Sequence, residues 1–177
     1  MADVPGIYYG EYLQLDKILN AQELESARHG ESAHDEMVFI VTHQVYELWF
    51  KQIVYELTAV IEVFDDSVVR EKKISRALHL LSRIKTIQWV LIHQIDVIET
   101  ITPLDFLEFR DLLVPASGFQ STYFKRIEIM LGLKRHHRIA ADCEFFKTRL
   151  RGDDLEELDD LEKEPSLLEL TDRWLKT

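Results

Sequence analysis

The sequence is poor in the residues that staple or interrupt a chain. It has one cysteine, Cys143, in 177 residues. A lone thiol excludes an internal disulfide and a cysteine-based zinc cluster. Six glycines and four prolines leave few punctuation points. Alternating runs of strand type are nearly missing, and no apolar run approaches a membrane span. Asp3 and Pro5 interrupt the N-terminus before any apolar segment, so nothing there reads as a signal peptide. Basic residues are outnumbered 21 to 32, and the formal charge of -11 argues against sequence-independent nucleic-acid binding. These absences give the expectation of a reduced, soluble compartment, the cytoplasm, with no nucleic-acid or membrane partner.

What is present is apolar residue at helical spacing. Hydrophobic residues make up 46% of the chain, enough for a real core. The expectation is all-α: one domain over residues 1–177, an elongated bundle of long helices, with residues 134–165 a variable, acidic segment. Between Arg151 and Pro165 eight acids stand against two bases.

The chain is organised around a helix expected from His34 to Phe64, capped by Ser32 and Asp35. Phe39, His43, Tyr46, Phe50, Ile53, Leu57, Val60 and Phe64 alternate in steps of four and three, one continuous stripe. Every member is large and apolar except His43. A histidine there is either a neutral core imidazole or a functional group, and the pattern leaves both open. Met37, Val41, Val45 and Leu48 make a second apolar face, so the helix should be surrounded by others.

A second long helix is expected from Val69 to Glu99, with Ile74, Ala77, Leu78, Leu81, Ile84, Leu91, Ile95 and Ile98 as its buried stripe. Thr102, Pro103 and Asp105 open a third helix, which places Phe106 and Arg110 one turn apart. Arg110 either snorkels to water or aims a guanidinium at a carboxylate or phosphate. Pro115 to Gly118 break that helix, and a fourth runs from Phe119 to a closing Gly132. A short helix over Asp142–Leu150 and an amphipathic one after Ser166 complete the expectation. Glu31 and His34 have the spacing of dimetal bundles, but no second such pair accompanies them.

Longer motifs carry a resemblance. They are Tyr9-Gly10-Glu11-Tyr12-Leu13, His34-Asp35-Glu36, Thr42-His43-Gln44-Val45-Tyr46-Glu47-Leu48-Trp49-Phe50, Leu104-Asp105-Phe106 with Phe109-Arg110, and Pro115-Ala116-Ser117-Gly118-Phe119-Gln120-Ser121. From Ile7 to Leu133 this resembles the tryptophan 2,3-dioxygenases. The resemblance implies an all-α homotetramer holding haem b, which uses O2 to cleave the indole ring of L-tryptophan to N-formyl-L-kynurenine in the kynurenine pathway. It implies that His43 is the distal histidine near the indole nitrogen. Phe39 and Phe106 would be aromatic walls, Arg110 the partner of the substrate carboxylate, and Ser117 and Gly118 the loop beside haem and substrate. Tyr9 and Tyr12 would reach a neighbouring subunit's site. The family's proximal haem-ligand histidine matches no residue here, so no metal ligand is assigned. The alternative is a truncated, non-catalytic paralogue or fragment with an assembly or binding role.

Overall fold

The computed structural model describes residues 6–66, 71–134, 150 and 152–176. Among them there are helices and no strand. Three short pieces come first: α1 (Tyr9–Tyr12), α2 (Leu15–Leu19) and α3 (Glu25–Arg28). Two long helices follow, α4 (Glu36–Asp65) and α5 (Glu71–Ile98). Then come α6 (Pro103–Leu107), 3-10 turns at Arg110–Leu113 and Gly118–Gln120, and α7 (Thr122–Leu131). The acidic segment forms α8 (Gly152–Leu161), and α9 (Leu167–Leu175) ends the described chain. The expected helix over Asp142–Leu150 and Cys143 lie outside the described residues, Leu150 apart.

α4 has 30 residues, about 45 Å at helical rise. It packs along α5 and is crossed by α7 and α9. The lower half of its apolar stripe is the core: Ile53, Leu57, Val60 and Phe64 are buried. α5 answers with Ala77, Leu80, Ile84, Ile87 and Leu91. Polar bonds fix the register of the two helices. Tyr46 donates its hydroxyl hydrogen to the Leu91 carbonyl at 2.7 Å, and Gln94 Nε2 donates to the Thr42 carbonyl at 3.1 Å. The Glu56 carboxylate, 3% exposed, takes Arg83 Nη1 at 2.7 Å and Gln52 Nε2 at 2.7 Å. A buried carboxylate needs such partners, because an unpaired one costs several kcal/mol, roughly. Burial also pushes the Tyr46 phenol up.

α8 and α9 close the lower end. Leu158 and Ile129 pack α8 onto α7. Ser166 and Glu169 form a reciprocal capping box at the start of α9. The same Glu169 pairs with Lys134 Nζ at 2.8 Å, tying the end of α7 to α9. Gly132 ends α7 at φ 120, and a Cβ there would meet Leu168 Cβ at 3.0 Å.

Four local expectations need correction. The Ser32–Asp35 cap does not form: Asp35 precedes α4 in a helical conformation, and its side chain makes no capping bond. Leu78 and Ile95 on α5 are 62% and 48% exposed, and Leu80 and Ile87 take the buried places. The helix after Thr102 stops at Leu107, because the chain turns Phe109 fully into the interior. Arg110 therefore opens a 3-10 turn and does not sit one helical turn above Phe106. The second face of α4 is largely left open by the described residues: Met37, Val41 and Leu48 are exposed and Val45 is half-buried.

Candidate functional site

The first two members of the α4 stripe, Phe39 and His43, face an open cavity of about 740 Å³, whereas Tyr46 and Phe50 pack against the core. Phe39, Ile40, His43, Gln44 and Glu47 line it from α4, joined by Glu36 at the helix start. The opposite wall is Leu112 to Thr122, including Ser117 and Gly118. Glu23 and Glu25 close a third side.

His43 is held by its own helix. Its Nδ1 lies 2.7 Å from the Phe39 carbonyl, which can only accept, so Nδ1 carries the hydrogen. Nε2 of the neutral ring then keeps its lone pair. The imidazole stacks on Phe39 at 4.2 Å between centroids. His93 repeats this bond with the Trp89 carbonyl at 2.8 Å, stacked at 3.8 Å, on an exposed face away from the cavity. The bond is thus a habit of helical histidines, and what distinguishes His43 is the cavity in front of it.

Phe39 also begins an aromatic cluster. It lies 5.8 Å from Phe106 and 5.5 Å from Phe109, with Phe106 and Phe109 edge to face at 5.4 Å. Phe106 backs Phe39 rather than lining the cavity. Arg110 follows the buried Phe109, is itself exposed, and has no carboxylate partner among the described residues. Ser117 caps the Gly118–Gln120 turn: its Oγ accepts from Phe119 N at 3.3 Å, and its N–H donates to Gln120 Oε1 at 3.0 Å. A Cβ at Gly118 would meet nothing within 4 Å, so backbone is bared to the cavity there. Tyr9 and Tyr12 are 75% and 70% exposed on α1, which packs on α2, and they do not reach this cavity.

Phe39, His43, Ser117 and Gly118 thus converge, Phe106 stands behind them, Arg110 stands beside them, and the tyrosines stay apart. Sequence reasoning missed Glu23, Glu25 and Gln44. The stretch from Ala21 to Ser32 reads as a polar loop, and its contacts are with residues a helix away. Gln22 Nε2 donates to Gln44 Oε1 at 2.6 Å, and Gln44 Nε2 donates to the Ala21 carbonyl at 3.2 Å. The Glu36 carboxylate, 1% exposed, accepts from Glu25 N at 2.8 Å, Ser26 N at 3.0 Å and the Ser26 hydroxyl. The one available signal was Glu36 itself, an acid on the pocket side of a mostly apolar helix.

Among the described residues no three His, Cys, Asp or Glu side chains cluster closely enough to hold a metal ion. None of the described helices is long and apolar enough to cross a membrane.

The model of the family described as Tryptophan 2,3-dioxygenase matches residues 1–177. The tryptophan 2,3-dioxygenase of Alteromonas mediterranea is 55% identical over 168 residues, 95% of this chain and 46% of that protein. The Xenopus laevis enzyme of that name is 46% identical over 172 residues, 97% of this chain and 42% of its own length. That of Anopheles gambiae is 44% identical over 174 residues, 97% of this chain and 44% of its own. The chain spans less than half the length of these relatives.

Proposed function

The chain belongs to the tryptophan 2,3-dioxygenase family, and on that premise we propose that it forms the substrate-facing side of a haem pocket in which O2 cleaves the indole ring of L-tryptophan to N-formyl-L-kynurenine. The observation that carries this reading is the convergence of His43, Phe39, Ser117 and Gly118 on one cavity, with His43 Nε2 left as an acceptor.

Each residue has a task suited to its chemistry. His43 Nε2 accepts a hydrogen bond from the indole N–H and so fixes the ring's direction. Phe39, backed by Phe106, gives the planar indole an apolar wall. Arg110, exposed and without a carboxylate partner among the described residues, forks onto the substrate carboxylate. The bare backbone at Gly118 allows close approach of a flat ring. Tyr9 and Tyr12, left uncovered here, reach the site of a neighbouring copy in a homotetramer.

The cavity-lining residues would form one side of a haem b site, and among the described residues no histidine is assigned to its iron. The described histidines His29, His34, His79 and His93 do not line the cavity, and His136 and His137 lie outside the described residues. When bound, the haem supplies the oxygen chemistry, and this chain's residues bind, orient and screen the substrate. The cytoplasm is the compartment such an enzyme would occupy.

A chimera tests the reading. This chain replaces the matching part of the Alteromonas mediterranea protein, and product formation from L-tryptophan is followed by chromatography. Turnover that falls on substituting His43→Ala, with haem still bound, is the expected result. A haem-loaded chimera indifferent to His43→Ala and Arg110→Ala would overturn the site.

A further inference from the structure

The buried carboxylate of Glu36 has a job that the substrate chemistry leaves unassigned. It is almost fully enclosed, lies at the start of α4, and faces the same side as His43 two turns later. It takes two backbone N–H groups and one hydroxyl from Glu25 and Ser26. Ser26 Oγ in turn accepts from Ala33 N at 3.0 Å, closing the loop between α3 and α4. The first turn of α3 has no side-chain cap of its own, since Leu24 stands at its N-cap. Glu36 is that cap, delivered from the next helix.

α3 is more than a loop turn. The 3-10 turn Arg110–Leu113 packs on α3 and on α6. That turn begins at Arg110, and Leu112 and Leu113 line the cavity. A continuous chain of contacts therefore runs from Glu36 through α3 to the turn that carries the guanidinium. His43 is on the same rigid helix as Glu36.

We propose that Glu36 is a positioning residue: by holding α3 to α4 it sets the Arg110 turn, and with it the carboxylate-binding edge of the pocket, at a fixed place relative to His43. The assignment of that edge rests on the reading given under Proposed function, whereas the latch itself does not.

Glu36→Gln is the informative substitution. An amide keeps the volume and turns one acceptor into a donor that faces other donors. Amide exchange of this 177-residue chain, followed residue by residue by NMR, should speed up about tenfold or more at Ser26, which loses a charge-assisted bond, and at Ala33, whose acceptor Ser26 Oγ loses its anchor on Glu36. The decisive amides are those of Leu112 and Ala116, which bond to the Phe109 and Leu113 carbonyls in the Arg110 segment. They should speed up as well, while those around Leu57 in the core keep their rates. Glu36→Asp, which restores a carboxylate, should return part of the protection. Ser26→Ala, which removes one donor and Ala33's acceptor, is the second variant should the first not fold. Faster exchange confined to Ser26 and Ala33, or no change at either place, would overturn the proposal. These readouts use no haem and no tryptophan. A failed latch is thus distinguishable from a failed substrate assignment, which the chimera's His43 and Arg110 variants address.

Discussion

His43 and His93 make the same bond to their own helix, and their surroundings decide what each can do. Both rings are exposed and lie against an aromatic ring of their own helix, but His43 lines the cavity and His93 does not. Of the six described arginines, Arg110 and Arg76 have no acid beside them among the described residues. Arg28, Arg83, Arg126 and Arg173 each hold a carboxylate. Changing Arg110 to Lys in the chimera keeps the charge and loses the fork, so KM for tryptophan should rise roughly tenfold to a hundredfold, with a smaller change in kcat. Steady-state kinetics decide it. Glu169 sets a pH limit at the other end of the molecule. The Lys134 ammonium, with help from Ser166, holds its carboxyl down from 4.5 to about 2. A depressed acid stabilises the fold fully above its ordinary value and loses that contribution as pH falls toward the folded one. The docking of α9 should therefore loosen between about pH 4.5 and 2, seen as faster exchange at Leu170, and Glu169→Gln should flatten that limb.

At the scale of elements, the joint between α7 and α9 leaves no room for a side chain at Gly132. Gly132 combines a left-handed φ of 120 with a clash awaiting any Cβ. Gly132→Ala should cost roughly 1–3 kcal/mol, read as a drop in the denaturation midpoint. That glycine was legible in the sequence as the end of a helix, because a left-handed residue there is ordinarily glycine. α4 was legible too, expected over 34–64 and found at Glu36–Asp65, since its 3.6 period runs unbroken. Its N-terminal cap does not form because Asp35 has helical backbone angles, whereas a capping side chain ordinarily reaches the first turn from an extended residue. α5 was found where expected, but two of the eight residues of its expected stripe, Leu78 and Ile95, are exposed. Its C-terminal part carries apolar residues on several sides, with Trp89, Ile92 and Ile95 exposed, and periodicity alone cannot choose between them. The Arg110 segment failed for a different reason. Phe109 is drawn into contact with Phe39, some seventy positions earlier, and that pull breaks a helix that local sequence would continue. Half the candidate site was visible in the stripe and the resembling motifs. The Glu23–Ser26 wall was not, because polar residues without a period show nothing of the buried carboxylate that fastens them.

At the scale of the whole molecule, the uncovered apolar surface is the dominant fact. Leu48 and Tyr55 on α4, and Trp89 and Ile92 on α5, are each at least half exposed. Isolated exposed hydrophobes are normal, but rows along two adjacent helices favour association. At micromolar concentration the 20.9 kDa chain should sediment as more than a monomer, and Leu48→Glu with Trp89→Glu should shift it toward the monomer in analytical ultracentrifugation. A mass that stays monomeric before any substitution would show that these rows do not drive self-association.

The three-sidedness of α4 carries a last consequence. One side of it meets α5, one faces the cavity, and one is the exposed apolar row. An ordinary surface helix has a solvent side on which substitutions accumulate at little cost. α4 has hardly any such side in its first half, where the cavity, the seam and the row divide the circumference among them. Each of its positions is therefore committed to one of three neighbours, and a substitution there disturbs the cavity, the seam or the row.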